Sequence, residues 1–367
     1  MTNLDPRTPV IIGVGQVNNR VDQGAEPREP VDLMADALRL AAADSGATAD
    51  VLGGADSIRV SFQLSWRYRD PGALVAERLG VESPKESLYT VMGGNLVQRL
   101  VNETGRQIVA GRNDLVLLTG AEAWRTRTQV KRAGADSLDW THQGDDVTPA
   151  EVYGSEQQMV SPHEIERGLV VPVQYYPLVD NALAAADGLT RAEHLDRIGS
   201  LYARASEVAA ANPHAWIRDT FTAEELVKAT PDNRMIGYPY TKRLNSNNMV
   251  DQGAALIMCS VERAEQLGVP REQWVFLHAG TDADDHWFFS TRDELHRSPA
   301  MRTAGRTVLD LAGVGHDDLT HIDLYSCFPS AVLISAREIG LGSGVGTDPV
   351  LTVTGGMSFA GGPWTTT

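Results

Sequence analysis

The chain has 367 residues, is 42% hydrophobic and carries a formal net charge of −16, which suits about two to three folding units, or two halves sharing one core, without disulfides. That charge opposes nucleic acid and anionic membranes as broad partners and leaves room only for a local basic pocket that meets one phosphate-bearing ligand. Two cysteines, Cys259 and Cys327, make no disulfide framework, no apolar run approaches the ~20 residues of a membrane span, and the polar N-terminus is no signal peptide, so the expected location is a reducing cytoplasm.

The elements alternate from the start. Val10-Ile11-Ile12-Gly13-Val14-Gly15 is a short apolar run of the kind a buried parallel strand shows. Pro30 opens a helix with Leu33, Met34, Ala37, Leu38 and Ala41 on one face and Gly46 past its end. Ser57 to Phe62 alternates like a strand, Pro71 starts a helix that runs to Gly80, and Leu88 to Met92 reads as a third strand. From Asn95, the apolar positions Leu96, Val97, Leu100, Val101, Ile108 and Val109 predict a largely buried helix ending at Gly111. Asp114 to Gly120 is the clearest core strand.

Residues 125–240 mix charged, aromatic and turn residues, with helices over Leu178 to Ala186 and Arg191 to Ala211. This reads as an insertion covering one face of the core. The alternation then resumes, with strands over Ala254 to Cys259, Trp274 to His278 and Ile322 to Tyr325, and helices over Ala300 to Ala312 and Ser330 to Gly340. Strands alternating with helices predict an α/β sheet with right-handed crossovers.

Five patches, in order, resemble the thiolase superfamily. Val10 to Gln16 resembles its first strand. Gln107-Ile108-Val109-Ala110-Gly111 with Leu117 to Ala123 resembles its I-x-x-G and G-G-x-E-S stretch. Pro239 to Lys242 leading into Asp251-Gln252-Gly253-Ala254-Ala255 resembles its D-G-A-A strand. Asp323-Leu324-Tyr325-Ser326-Cys327-Phe328 resembles the H-D-C-F segment of the sterol-carrier-protein-type thiolases, and Thr354-Gly355-Gly356 through Gly361-Gly362-Pro363 resembles the G-G and G-H-P segment. The insertion, with Val208 to Trp216, is similar to the type-1 branch of thiolase-like proteins, grouped with the acetyl-CoA acetyltransferases.

The resemblance implies a thiolase-like α/β fold of two related βαβαβ halves, 1–124 and 241–367, with an inserted loop domain at 125–240. It implies an incomplete second half, since thiolase halves continue past the point where this chain stops, and type-1 relatives add a C-terminal β-barrel. Thr365 to Thr367 then reads as a truncation scar. The ligand implied is an acyl-CoA thioester, as substrate or bound partner, with no resident cofactor and no metal.

The departures bear on the chemistry. Counting from Gly111 and Gly120 puts the nucleophilic cysteine position at Gly94, which has no side chain to acylate. Tyr325 stands for the H-D-C-F histidine, Ser326 for its aspartate, and Gly362 for the G-H-P histidine. Claisen condensation needs a thiolate carrier, bases and an oxyanion site, so standard thiolase activity is expected to be lost. Cys327 is either a buried small residue at a strand–helix junction or a reactive thiol. Tyr325 is either a half-buried tyrosine or the acid/base of an aldolase, because some cysteine-less thiolase-fold proteins cleave β-hydroxyacyl-CoA side chains with a tyrosine there, together with an OB-fold partner protein. Gly93, Gly94 and Asn95, like Gly355 and Gly356, either make tight turns or present backbone N–H groups to a carbonyl or anionic group of the ligand. The readings for function are an acyl-CoA-binding protein without the standard activity, a retro-aldol lyase, and a non-catalytic scaffold.

Other patterns read as bland. Gly13-Val14-Gly15 lacks the third glycine of a dinucleotide fingerprint, since Asn18 holds that place. Gly356-Met357-Ser358-Phe359-Ala360 is one residue short of a nucleophile elbow. His278, Asp282, Asp284, Asp285 and His286 lack ligand spacing and read as a solvated acidic loop. Lys242, Arg243 and Arg234 suit a CoA phosphate or ordinary ion pairs.

Overall fold

The computed structural model describes residues 4–82, 84–134, 138–346 and 348–362. Pro363 of the G-H-P segment, Thr365 to Thr367 and the first three residues lie outside the described residues. In chain order the elements are β1 (Pro9–Asn18), α1 (Pro30–Asp44), β2 (Ser57–Val60), α2 (Pro71–Leu79), β3 (Glu86–Thr90), α3 (Leu96–Val109), β4 (Leu115–Ala123), α4 (Trp124–Arg132) and β5 (Glu151–Tyr153). There follow α5 (Pro162–Glu166), α6 (Pro172–Ala186), α7 (Arg191–Ala211), α8 (Ala223–Val227), β6 (Met235–Gly237), β7 (Tyr240–Thr241), β8 (Asp251–Ser260), α9 (Val261–Gln266), β9 (Val275–Phe276), α10 (Pro299–Ala312), α11 (Pro329–Ile339) and α12 (Gly356–Phe359). No helix among the described residues is long and apolar enough to cross a membrane.

Contacts divide the chain into two compact units: residues up to Glu156 with Asn248–His278, and Gln157–Asn247 with Ala279–Gly362. These boundaries fall elsewhere than the sequence divisions at 124 and 240.

The first unit is the α/β layer structure. Among the described residues its sheet has the order β5-β3-β2-β4-β8-β1-β9. The pairs β3/β5, β2/β3 and β2/β4 are parallel; β4/β8, β1/β8 and β1/β9 are antiparallel. All nine residues of β4 are buried, and they divide by parity. Leu115, Leu117 and Ala121 join a core with α1 and α2, whereas Val116 and Leu118 join one with Leu100, Val101 and Ile108 of α3. Successive side chains of a strand point to opposite faces, so the two helical layers cover opposite faces of the sheet. The predicted face of α1 is fully buried; in α3, Val97 is half-buried and Val109 stays exposed. The glycines of β1 serve this packing. A Cβ on Gly13 would stand 2.1 Å from the Ala41 carbonyl oxygen, and one on Gly15 would stand 2.0 Å from that of Ala37. They let the backbone of α1 lie on the strand, a packing role in place of the nucleotide reading already set aside.

The second unit is built mainly of helices, with the short hairpin β6–β7. Its core joins Val179 and Leu183 of α6, Ile198, Leu201 and Tyr202 of α7, and Val332 and Ile334 of α11. Helix α7 opens on a capping box: Thr190 accepts from the Glu193 amide, and Glu193 accepts from Thr190. Asp187, at the end of α6, pairs with Arg197 of α7 and Arg337 of α11, tying three helices at one point.

Three expectations need correction. The run from Val10 to Gly15, read as a parallel strand, lies in β1, which is antiparallel to both β8 and β9. Ile322 to Tyr325 is not a strand. The Asp323 carboxylate takes the amides of Val353 and Thr354 and the Thr352 hydroxyl, so a side chain holds the segment where a ladder was expected. Helix α6 begins at Pro172, six residues before the predicted Leu178. Pro177 lacks an N–H and marks a helix start in a sequence reading; here the helix runs through it, and Asn181 Nδ2 donates to the Pro177 carbonyl at 2.6 Å. Of the strands in the second half, β8 and β9 join the sheet of the first unit.

Candidate functional site

Tyr325 and Cys327 lie on the segment that enters α11. Pro329 occupies the first turn of that helix, where a missing N–H is harmless, and Phe328 precedes it in an extended conformation. Tyr325 and Cys327 meet through their side chains, whereas Ser326 turns to the Met357 amide. Cys327 is 6% exposed and Tyr325 is 40% exposed.

The hydroxyls of Tyr325 and Tyr176 both reach the Cys327 sulfur. Burial pushes the Cys327 thiol up to about 12, and these two hydrogen bonds only partly oppose it. The Tyr325 hydroxyl is desolvated although its ring keeps an open flank; burial first, then Cys327, holds its pKa well above the usual phenol value. Cys327 first, then burial, does the same to Tyr176. Tyr175, beside them, is pushed up to about 12 by burial and by Cys327. At neutral pH all four groups are therefore neutral. The sulfur is a thiol, not a nucleophilic thiolate, and the tyrosines are proton donors rather than bases.

Aromatic rings fix this cluster. Tyr176 stacks on Phe328 with centroids 4.3 Å apart, Tyr240 stacks on the same ring at 5.4 Å, and Tyr175 lies 5.5 Å from Phe289. The Tyr240 hydroxyl is 2.8 Å from Ser330 Oγ in the first turn of α11. Such contacts contribute beyond area burial and restrict ring orientation.

Ser326 binds the glycine segment. Its Oγ accepts from the Met357 amide at 2.9 Å. Gly355 and Gly356 have φ of +99° and +73°, the left-handed region. A Cβ on Gly355 would come within 2.4 Å of Ala209 Cβ and 2.7 Å of its backbone nitrogen, so α7 packs directly on this turn. Gly355, Gly356 and Ser326 also line a pocket of about 370 Å³, counting its open mouth. Gly362 ends the segment, donating to the Asn247 carbonyl. A Cβ there would stand 2.5 Å from Met357 Cβ, so the place of the G-H-P histidine is filled by methionine.

Tyr325, Cys327, Gly355, Gly356 and Gly362 thus share the helical unit and are linked through Ser326 and Met357. Gly93, Gly94 and Asn95 belong to the sheet unit. There they form the expected turn from β3 into α3, with the Leu96 amide donating to the Gly93 carbonyl at 3.1 Å. Neither glycine is left-handed. Space matters at Gly93, where a Cβ would meet Asn95 Oδ1 at 3.1 Å and Leu96 Cδ1 at 3.2 Å. Asn95 makes no side-chain cap.

The set-aside patterns have structural employment. Ser358 is buried and donates to the Asn245 carbonyl. Asp285 caps α10 through Ser298 and the Ala300 amide. Arg243 lies over the Phe221 ring at 4.6 Å. Sequence reasoning missed Tyr175 and Tyr176; the signal was the Tyr-Tyr-Pro run of the insertion, which the late placement of α6 left in a loop.

No family model matches the sequence, and none of the curated proteins matches it. Many solved structures are similar, three of them as follows. A monomeric SCP2-thiolase-like protein type 1 from Mycobacterium smegmatis is 34% identical with a TM-score of 0.78, over 99% of this chain and 69% of that one. An Ltp2-ChsH2(DUF35) aldolase is 21% identical with a TM-score of 0.67, over 91% of this chain and 77% of that one. An acetyl-CoA acetyltransferase from Syntrophomonas wolfei is 17% identical with a TM-score of 0.64, over 96% and 87%. The last two, at their identity, speak to fold alone.

Proposed function

Since this chain belongs to the SCP2-thiolase-like protein type 1 family and has a thiolase-like α/β fold, we propose that it binds an acyl-CoA thioester in the cytoplasm without passing the acyl group through a cysteine. The observation that carries this reading is the state of Cys327, a buried thiol pushed up to about 12 between two tyrosine hydroxyls. By the resemblance, the nucleophile position holds Gly94, the H-D-C-F histidine position Tyr325 and the G-H-P histidine position Gly362, and Met357 fills the space at Gly362. Intact-protein mass spectrometry after incubation with acetyl-CoA tests it. The expected result is saturable binding by calorimetry and no covalent acetyl adduct; an adduct on Cys327 overturns the proposal.

A second reading, a retro-aldol lyase acting on a CoA-linked side chain with an OB-fold partner protein, draws support from Tyr325. In such a cleavage the bond between the α and β carbons breaks, the β-hydroxyl proton passes to water as that carbon becomes a carbonyl, and the electron pair forms an enolate on the thioester oxygen, which takes a proton at the α carbon to give the shortened thioester. A neutral phenol with a raised pKa suits donation to that oxygen rather than removal of the hydroxyl proton. One structure of similar fold is an aldolase pairing Ltp2 with ChsH2(DUF35). On this reading Tyr325→Phe abolishes cleavage while thioester binding persists, and unchanged turnover by that variant rules the mechanism out. Binding with no turnover, with or without a partner, leaves the non-catalytic scaffold.

A further inference from the structure

The outer face of α6 carries no charge. Gln174, Leu178, Asn181 and Ala185 share that face at i, i+4, i+7 and i+11, and all four are exposed. The only acid within the helix, Asp180, is fully buried. A helix face turned to water ordinarily carries charged residues. The β6–β7 hairpin continues this surface. A Cβ on Gly237 would stand 3.1 Å from Pro177 Cγ and 3.2 Å from the Val173 carbonyl oxygen, so β6 lies against the start of the helix. Asn181 Nδ2 also donates to the Tyr238 carbonyl at 3.3 Å. Val173 and Leu178 of the helix and Met235 and Tyr238 of the hairpin expose large apolar side chains, so an apolar patch spans both elements.

Cations rim this patch. No acidic residue occurs from Asn233 to Val250, whereas Arg234 and Lys242 flank the hairpin strands, joined by a bond of 2.9 Å from the Lys242 amide to the Arg234 carbonyl. The Arg191 guanidinium lies 4.6 Å from the Tyr238 ring centroid. These three cations are exposed, and among the described residues no ion pair holds them. Of the acids next in sequence, Asp232 precedes the hairpin and Glu193 is engaged with Thr190. In a chain of net charge −16 the patch reverses the prevailing sign. An apolar surface that joins tyrosine, methionine and arginine has the make-up of a protein interface. A second copy docked face to face would set the cations against each other, and an anionic membrane meets a chain whose overall charge opposes it. An acidic amphipathic helix suits both the patch and its rim. We propose that α6 and the β6–β7 hairpin form a docking surface for a partner protein, which lays on it a helix whose apolar stripe is flanked by acidic residues. The proposal is independent of the thioester reading.

The test titrates the full chain into two fluorescein-labelled synthetic peptides and reads anisotropy. Both are amphipathic helices with the same leucine stripe, which one flanks with glutamate and the other with lysine. Bulk charge favours the lysine peptide, so a preference for glutamate can come only from a local site. The glutamate peptide is expected to bind about tenfold more tightly, with the margin shrinking as salt rises. Arg234→Glu combined with Lys242→Glu, both exposed, is expected to reverse the preference. Leu178→Ser is expected to weaken both peptides about tenfold. Equal binding of the two peptides by the unaltered protein overturns the proposal without any variant. A preference that survives the charge reversal, in a variant folded by circular dichroism, overturns it as well. Sedimentation velocity and flotation with phosphatidylglycerol vesicles address the other occupants. A dimer abolished by Leu178→Ser, or vesicle binding abolished by the charge reversal, assigns the face to them and overturns the proposal. Displacement of the glutamate peptide by CoA gives the cations to the nucleotide phosphates and overturns it too.

Discussion

The state of Cys327 can be read directly from its alkylation rate. At pH 7.5 a thiol at its ordinary value of 9.0 is about 3% thiolate, whereas one at about 12 is roughly three parts in 100,000 thiolate, about a thousandfold loss. The more basic thiolate is also the better nucleophile, which returns about twentyfold. The net slowing is about fiftyfold before restricted access is counted. Iodoacetamide labelling followed by peptide mass spectrometry measures this, with free cysteine as the reference. Cys259, buried in the sheet core and also pushed up to about 12 by burial, serves as an internal control. Two substitutions at Tyr325 separate the causes by sign. Tyr325→Phe removes a hydroxyl that holds the thiol pKa down, so labelling slows further. Tyr325→Ala removes a covering ring, relieves burial and speeds labelling. Wild-type labelling within a fewfold of free cysteine, or faster labelling in Tyr325→Phe, would refute the account of a neutral, tyrosine-held thiol.

Further predictions concern the scaffold of the same unit. Glu338 of α11 is 4% exposed; burial opposes its charge, but hydrogen bonds from Arg302, Arg297 and the Ser298 amide outweigh this and bring its pKa down to about 2. Its folded pKa lies below the unfolded one, so its stabilisation is complete above about pH 4.5 and is lost as pH falls towards 2. With both arginines about one third exposed, Glu338→Gln should cost about 2 kcal/mol at pH 7, with the difference closing at low pH; urea melts that show an equal loss at both ends would contradict the clamp. Gly355→Ala combines a left-handed φ with overlap on the backbone of Ala209, and should cost about 3 kcal/mol, seen as a lower denaturation midpoint. A neutral result there would mean that α7 can move away from the turn.

The parts of the fold legible in the sequence were those fixed by local periodicity. The face of α1 and the run of β4 bury as their spacing dictates, because burial on a sheet follows parity and burial on a helix follows the turn. Ile322 to Tyr325 misled because Ile-Asp-Leu-Tyr alternates as a strand does, while a strand also requires a neighbour, which is a property of distant chain. Of the candidate site, Tyr325 and Cys327 were readable from a motif whose residues are adjacent. Tyr176 was not, since only the packing of α6 against Phe328 brings its hydroxyl to the sulfur. Likewise, the glycine at 362 announces a missing histidine, but that Met357 fills the space is visible only in three dimensions.

The two ends of the sheet bear on how this protein can meet others. On one side β3 is flanked by β5, three residues long, and on the other β1 is flanked by β9, two residues long. The cover is partial: β9 pairs with β1 only at Val10 and Ile11, and β5 with β3 only from Leu88 to Thr90. Short terminal strands of this kind blunt an edge without closing it. Assembly on this scaffold is therefore open to main-chain pairing along β1 as well as to side-chain chemistry, and substitutions tune only the second.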